Sequence, residues 1–185
     1  MVDEAHGTGV FGQNGRGVIE HFNLCKEVDV VMGTLSKAIG SLGGYVSGDI
    51  DLIRYFRNKA RSFMYTTALP PAVCAASIAG IKLIQEDPSI RVSLWDNARF
   101  IKDKLNLLNI NTISSKSQII PILIGDAKKA VKISKLLYES GILIPAIRPP
   151  TVPANSSRLR MTVMSSHSKR DLEKLIQVLN KVLSL

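Results

Sequence analysis

The first residues of the chain place a carboxylate and an imidazole three positions apart, at Asp3 and His6. A second group of polar side chains surrounds Lys37, with hydroxyls at Thr34 and Ser36, directly after a β-branched stretch. A lysine beside a hydrophobic strand loses its proton more easily than one in water, which suits a Schiff-base amine. Hydroxyl groups and glycine amides next to such a lysine suit a phosphate group.

A carboxylate, a lysine and phosphate donors are the groups that pyridoxal phosphate requires of a protein. A carboxylate keeps the ring nitrogen protonated, and the protonated ring then accepts electrons. The two segments therefore predict a pyridoxal-phosphate site. Cys25 and Cys74 are far apart and match no metal-ligand spacing, so we expect no metal site.

The opening stretch MVDEAHGTGVFG also permits two other interpretations. DEAH occurs in nucleotide-driven helicases, but these need a phosphate-binding loop of the form GxxxxGK[ST], which the chain lacks. GTGVFG fits the dinucleotide pattern GxGxxG, which must open a helix. Here it continues into QNGRG, a sequence that does not favour a helix.

Charge and composition limit the classes of function. Of the net charge of +9, residues 1–90 contribute about −1 and residues 91–185 about +10. Much of this excess lies on a predicted helix over 126–139, where lysines without interleaved aromatic residues indicate a solvated face rather than a nucleic-acid site. We see no membrane span or signal peptide, and we expect a reducing, cytoplasmic setting.

Apolar spacing predicts the secondary structure. The predicted strands cover residues 1–3, 28–32, 45–47, 62–65, 119–125, 142–145 and 158–164. The predicted helices cover residues 50–58, 71–86, 88–108, 126–139 and 172–183.

This order predicts an α/β protein in two domains. We expect a parallel-sheet α/β region over residues 1–88 and a smaller α+β region over residues 89–185. The first strand is expected to have no neighbours, because the residues before it are missing.

Five ordered blocks resemble one family along nearly the whole chain: VDEAHGTGVFGQNGRG, GTLSKAIGSLGG, YTTALPPA, AIRPPTVP and SSRLRMTVMSSHS. The chain is similar to the C-terminal half of the α-oxoamine synthases, pyridoxal-phosphate enzymes of the fold-type I aminotransferase class. The resemblance implies part of the large parallel-sheet domain followed by the small C-terminal domain. It also implies a homodimer in the complete enzyme.

The resemblance implies a role for each matched residue of the cofactor site. Lys37 would hold the cofactor covalently and act as acid and base, Asp3 would pair with the ring nitrogen, and His6 would bond the phenolic oxygen. Thr34 and Ser36 would contact the phosphate.

Four more residues are implied outside that group. Thr66 and Thr67 would present a hydroxyl to the phosphate of the partner subunit's cofactor, and Arg160 would bind the substrate carboxylate. Arg148 would lie near the substrate or product. Arg158 shares a strand face with Arg160 by alternation, and only one of the two needs to enter the site.

AIRPPTVPA favours the branch of the family that joins L-alanine to a pimeloyl thioester, on coenzyme A or a carrier protein, in biotin synthesis. A branch that acetylates glycine is the alternative, and a non-catalytic fragment without cofactor is another. Because the family's N-terminal half has no counterpart here, we expect the chain to be a fragment that is inactive by itself.

Overall fold

The structure is a computed structural model that describes residues 1–184. It divides into two compact units, Met1–Arg91 and Val92–Leu185. The first unit carries Asp3, His6 and Lys37, and the second carries the predicted substrate arginines. No helix among the described residues is long and apolar enough to cross a membrane.

A mixed three-stranded sheet forms the first unit. Its strands are β1 (Val2–Asp3), β2 (Val30–Thr34) and β3 (Gly44–Gly48), in that order across the sheet. The first strand does have a neighbour, contrary to prediction, because β1 pairs with β2 in parallel. The β3 strand runs antiparallel to β2.

Four helices accompany this sheet: α1 (Val18–His21), α2 (Ile50–Lys59), α3 (Arg61–Met64) and α4 (Pro71–Glu86). The predicted strand over 62–65 is wrong, since α3 occupies this segment. The N–H of Met64 donates to the carbonyl of Ala60 at 3.0 Å, which closes a helical turn. This local hydrogen bond uses the backbone groups that a strand would offer to a neighbour.

The second unit contains the helix α5 (Ser89–Leu107), which begins just before the boundary, and a second sheet. Its other elements are β4 (Ile119–Gly125), α6 (Ala127–Glu139), β5 (Ala146–Ile147), β6 (Ser157–Thr162) and α7 (Lys169–Leu183). The strand order is β4-β6-β5, and both pairings are antiparallel.

The predicted strand over 142–145 is wrong, because β5 begins only at Ala146. The chain at 141–142 ends helix α6 instead. Gly141 has a φ of 79°, and the N–H of Ile142 donates to the carbonyl of Leu137 at 2.9 Å. A glycine in the left-handed region commonly ends a helix in this way, and the amide is then unavailable to a sheet.

The core of the second unit follows the alternation of β6. Leu159 and Met161 are buried, while Arg158 and Arg160 lie on the opposite face and are half-buried. Side chains from α5, β4, α6 and α7 complete the same apolar cluster, among them Ile101, Leu105, Ile120, Ile122, Leu137 and Leu179.

Candidate active site

Parallel pairing brings the two polar segments to one edge of the first sheet. Asp3 is the register partner of Met32, and the N–H of the next residue, Glu4, donates to the carbonyl of Met32 at 2.7 Å. The strand β2 ends at Thr34, shortly before Lys37. Since parallel strands point their carboxyl ends the same way, the chain beyond β1 and the chain beyond β2 emerge side by side.

His6 lies in a tight turn immediately after β1. The carbonyl of Glu4 accepts the N–H groups of Gly7 and Thr8, each at 2.9 Å. Oδ1 of Asp3 accepts the N–H of Ala5 at 2.8 Å. The side chains of Asp3 and His6 are both exposed, so they are accessible at the sheet edge.

Thr34 and Ser36 form a hydroxyl pair beside Lys37. Their oxygens, Oγ1 and Oγ, lie 2.7 Å apart, and Thr34 Oγ1 also accepts the N–H of Ser36 at 3.2 Å. A further bond runs from Thr34 Oγ1 to the carbonyl of Gly43 at 3.1 Å. The hydroxyls are thereby held together at the end of β2.

The loop that carries Lys37 is anchored on both sides. Leu35 and Ile39 are buried, and the N–H of Leu35 donates to the carbonyl of Gly43 at 2.9 Å. Ser41 Oγ donates to the carbonyl of Val73 in α4 at 2.9 Å. The backbone of the lysine loop is therefore fixed relative to the sheet and to α4.

Lys37 itself is exposed, and its role as the cofactor-binding lysine stays a prediction. The loop turns beyond the end of β2, and its buried positions are Leu35 and Ile39. The three residues between these anchors, Lys37 in the middle, are exposed on the outer side of the turn.

The loop after His6 packs directly against the lysine loop. Gly9 has a φ of 78°, and a Cβ added there would lie 2.8 Å from the Cβ of Ala38. Only glycine fits so close an approach in this conformation. The residue next to Lys37 is thus in contact with the turn that follows His6.

Thr66 and Thr67 follow helix α3, further along the chain than the cluster around Lys37. Both are exposed in the segment after α3, and the N–H of Thr66 donates to the carbonyl of Phe63 at 3.3 Å. Their assigned contact with a partner subunit stays a prediction.

The predicted substrate arginines belong to the second unit. Arg160 pairs in register with Pro121, and its N–H donates to the carbonyl of Pro145 at 2.9 Å. Arg158 donates from Nε to the carbonyl of Ser156 at 3.0 Å, which turns it back onto its own strand. Arg148 is exposed and directly follows β5.

A comparison with protein-family profiles shows which family the chain belongs to. The profile of the family described as aminotransferase class I and II matches residues 1–179. The chain belongs to this family.

Curated relatives within this class I and II family carry one recurring name. The 8-amino-7-oxononanoate synthase of Thermoanaerobacter pseudethanolicus is 44% identical over 181 residues, which cover 98% of this chain and 46% of the relative. That of Geotalea daltonii is 45% identical over 184 residues, or 98% of this chain and 47% of the relative. The chain thus spans about half the length of these relatives.

Solved structures of the same fold are also similar. Serine palmitoyltransferase of Sphingomonas wittichii superposes with a TM-score of 0.93 at 32% identity, covering 98% of this chain and 46% of the other. The 8-amino-7-oxononanoate synthase of Francisella tularensis gives a TM-score of 0.88 at 29% identity, covering 99% and 54%. These matches confirm the α/β, fold-type I architecture.

The sequence analysis missed several residues that hold the loops of the site in place through buried or partly buried hydrogen bonds. Glu4 is fully buried. Thr8 Oγ1 lies 2.8 Å from Tyr45 Oη, and this contact joins the loop after His6 to β3. Ser77 Oγ donates to Ser41 Oγ at 2.9 Å. The alternation of β1, continued by one residue, was a usable signal for Glu4, since it places that side chain on the face opposite Asp3.

Glu20 also holds the glycine-rich loop that follows His6, residues 7–17, on its outer side. This carboxylate accepts Asn14 Nδ2 at 2.6 Å and the N–H of Arg16 at 3.0 Å. Burial raises the pKa of Glu20, but the hydrogen bonds from Arg16 and Asn14 outweigh it and hold the pKa below its usual value.

Proposed function

We propose that this chain is the C-terminal half of a pyridoxal-phosphate-dependent 8-amino-7-oxononanoate synthase. The reaction joins L-alanine to a pimeloyl thioester with loss of carbon dioxide. The observation that carries the proposal is the parallel pairing of β1 with β2, which places Asp3, His6 and the lysine loop at one sheet edge. The names of the relatives support the choice of reaction.

The donor set at this edge fits pyridoxal phosphate, and a similar solved structure is described as SPT with its PLP internal aldimine. The bound cofactor supplies an electron sink for the α-carbon of an amino acid. Lys37 holds the cofactor and moves the proton at that α-carbon. Asp3 keeps the ring nitrogen protonated, and His6 donates to the ring oxygen. The hydroxyls of Thr34 and Ser36 donate to the phosphate.

The remaining assigned residues act on substrate and assembly. Arg160 binds the amino-acid carboxylate, because a planar guanidinium can make two parallel bonds to it. Arg148 lies near the acyl substrate or the product. Thr66 and Thr67 reach the phosphate of a partner subunit in a homodimer, which would account for their exposure in this chain.

We infer that the chain alone has little synthase activity. Helix α4 has exposed apolar side chains at Ile78, Ile81 and Leu83, and Ser77 is its buried residue. Such a surface is typical of one that another polypeptide covers. A misplacement of about 1 Å in a site can cost on the order of a hundredfold in rate, so a half-site is expected to turn over poorly.

Complementation tests this proposal. The chain would be co-expressed with the N-terminal half of an 8-amino-7-oxononanoate synthase, and amino-ketone formation from alanine and pimeloyl-CoA measured. We expect turnover from the pair, little from either half, and none when Lys37→Ala replaces the wild-type chain. Glycine with acetyl-CoA and serine with palmitoyl-CoA test the related branches. Robust turnover by the single chain, or a preference for another substrate pair, would contradict the proposal.

Asp3→Asn tests the role of the carboxylate in the complemented enzyme. An amide cannot hold the charge on the ring nitrogen, so we expect a loss of rate with cofactor still captured. Removing one preorganised electrostatic contact costs about 2–4 kcal/mol in the barrier. Near-normal turnover would show that Asp3 does not face the ring.

A further inference from the structure

We propose that Glu4 is the positioning residue of the site, holding Asp3 and His6 in place relative to the lysine loop. The inference rests on the proposed function for the role of these residues. It concerns a side chain that faces away from the sheet edge where cofactor and substrate would bind.

The carboxylate of Glu4 is fully buried and binds backbone amides. Oε2 accepts the N–H of Val18 at 2.8 Å, and Oε1 accepts the N–H of Ile19 at 2.7 Å. Among the described residues, no ion pair involves Glu4. A buried carboxylate needs such hydrogen bonds to offset the loss of water, so the two amides and the carboxylate hold each other firmly.

The backbone of Glu4 makes further connections. Its N–H donates to the carbonyl of Met32 in β2, and its carbonyl accepts the N–H groups of Gly7 and Thr8. The backbone of His6 lies within the turn that these bonds create. One residue therefore joins the strand that leads to Lys37, the turn that carries His6 and the returning chain at Val18.

The loop is shaped around this carboxylate. A Cβ added at Gly7 or at Gly17 would overlap the side-chain oxygens of Glu4, and Gly17 also has a φ of 115°. The glycines let the backbone approach the carboxylate from two sides. Movement of the carboxylate would thus be transmitted directly to the residue that follows His6.

The two amide donors demand an acceptor with two oxygens. In Glu4→Gln the side-chain NH2 group would face one of the two N–H groups, so one hydrogen bond is lost and two donors oppose each other. In Glu4→Asp the charge is kept but the side chain is shorter by one methylene. We therefore expect Glu4→Asp to behave between the wild type and Glu4→Gln.

Amide hydrogen exchange of the cofactor-free chain gives the first test. In Glu4→Gln we expect exchange at least about tenfold faster at Val18 and Ile19, and also at Gly7 and Thr8, because losing a charge-assisted bond changes an opening equilibrium by about this factor. The matched control is Glu20→Gln, which changes the carboxylate that accepts hydrogen bonds from Asn14 and Arg16 in the same loop. It should accelerate hydrogen exchange at the amides of Asn14 and Arg16 and leave the amides of Gly7 and Thr8 protected.

Cofactor binding gives the second test. Pyridoxal phosphate is added to each folded variant, and the absorbance of the bound form is followed against pH. We expect Glu4→Gln to bind at least about tenfold more weakly and to shift the pH at which the absorbance changes, with partial rescue in Glu4→Asp. Glu20→Gln should match the wild type.

The outcomes separate this inference from the proposed function. If the wild-type chain, with or without a complementing N-terminal half, forms no absorbing adduct, the proposed function fails. The exchange test still decides whether Glu4 holds the turn around His6. If Glu4→Gln leaves Gly7 and Thr8 protected and the absorbance profile unchanged, the positioning role is refuted. If Glu4→Gln does not fold, the same two measurements on Glu4→Asp decide, and a wild-type profile there refutes the role.

Discussion

We expect Gly80→Ala in helix α4 to lower the stability of the chain, although a glycine-to-alanine change inside a helix usually raises it. Replacing a glycine inside a helix with alanine normally stabilises it by about 1 kcal/mol. A Cβ at Gly80 would overlap the carbonyl oxygen of Ile39 and lie 3.0 Å from its Cγ2. Ile39 is a buried position of the loop that carries Lys37, so neither its carbonyl oxygen nor its Cγ2 can move away freely.

The magnitude for Gly80→Ala follows from these opposing effects. Overpacking a well-packed site costs about 1–3 kcal/mol, which exceeds or cancels the helical gain. We expect a net loss of up to about 2 kcal/mol in the free energy of unfolding. Because Ile39 lies two residues beyond Lys37, the loop should shift and adduct formation with pyridoxal phosphate should weaken.

Urea unfolding and the absorbance of added pyridoxal phosphate measure both effects. The control is Ala79→Gly, at an exposed position of the same helix, which should lose about 1 kcal/mol through helix propensity with unchanged cofactor absorbance. A gain of stability in Gly80→Ala with normal adduct formation would refute the close contact between α4 and the lysine loop.

Two further predictions concern the second unit. Hydrogen bonds from the Ser168 hydroxyl and N–H lower the pKa of Asp171, so this interaction stabilises the fold above the ordinary aspartate pKa and is lost as pH falls through the lowered value. Ser168→Ala should return that pKa towards its usual value in an NMR titration, and an unchanged titration would show that the capping box does not form. Leu159→Ala, at a position with 0% exposure, should cost about 2–5 kcal/mol in urea unfolding, whereas Leu143→Ala, at 80% exposure, should stay within about 0.5 kcal/mol. Equal losses would contradict the placement of the core.

Elements with a strong local signal were predictable from the sequence. Asp49 caps α2 through a bond from the N–H of Asp51, and Pro71 begins α4, as their residue types indicated. The alternation in β6 correctly placed Arg158 and Arg160 on one face. The resemblance to the α-oxoamine synthases is confirmed at the level of family and fold.

The failures arose where long-range pairing decides the outcome. The segments at 62–65 and 142–145 are apolar enough for strands, yet the N–H groups of Phe63, Met64 and Ile142 donate to carbonyls in local turns. The anchors of the lysine loop join Ser41 to α4, more than thirty positions away, and no local pattern reveals such a bond. The exposure of Lys37 depends on what surrounds the loop in three dimensions, which residue type alone does not state.

The central claim is that Lys37 is the cofactor-binding lysine. The most direct measurement incubates the chain with pyridoxal phosphate, with a complementing N-terminal half if needed, reduces the adduct with borohydride and maps the labelled peptide. The account predicts the pyridoxyl group on Lys37, and no such label after Lys37→Ala. A label on Lys26 or Lys59 of the wild-type chain would contradict it.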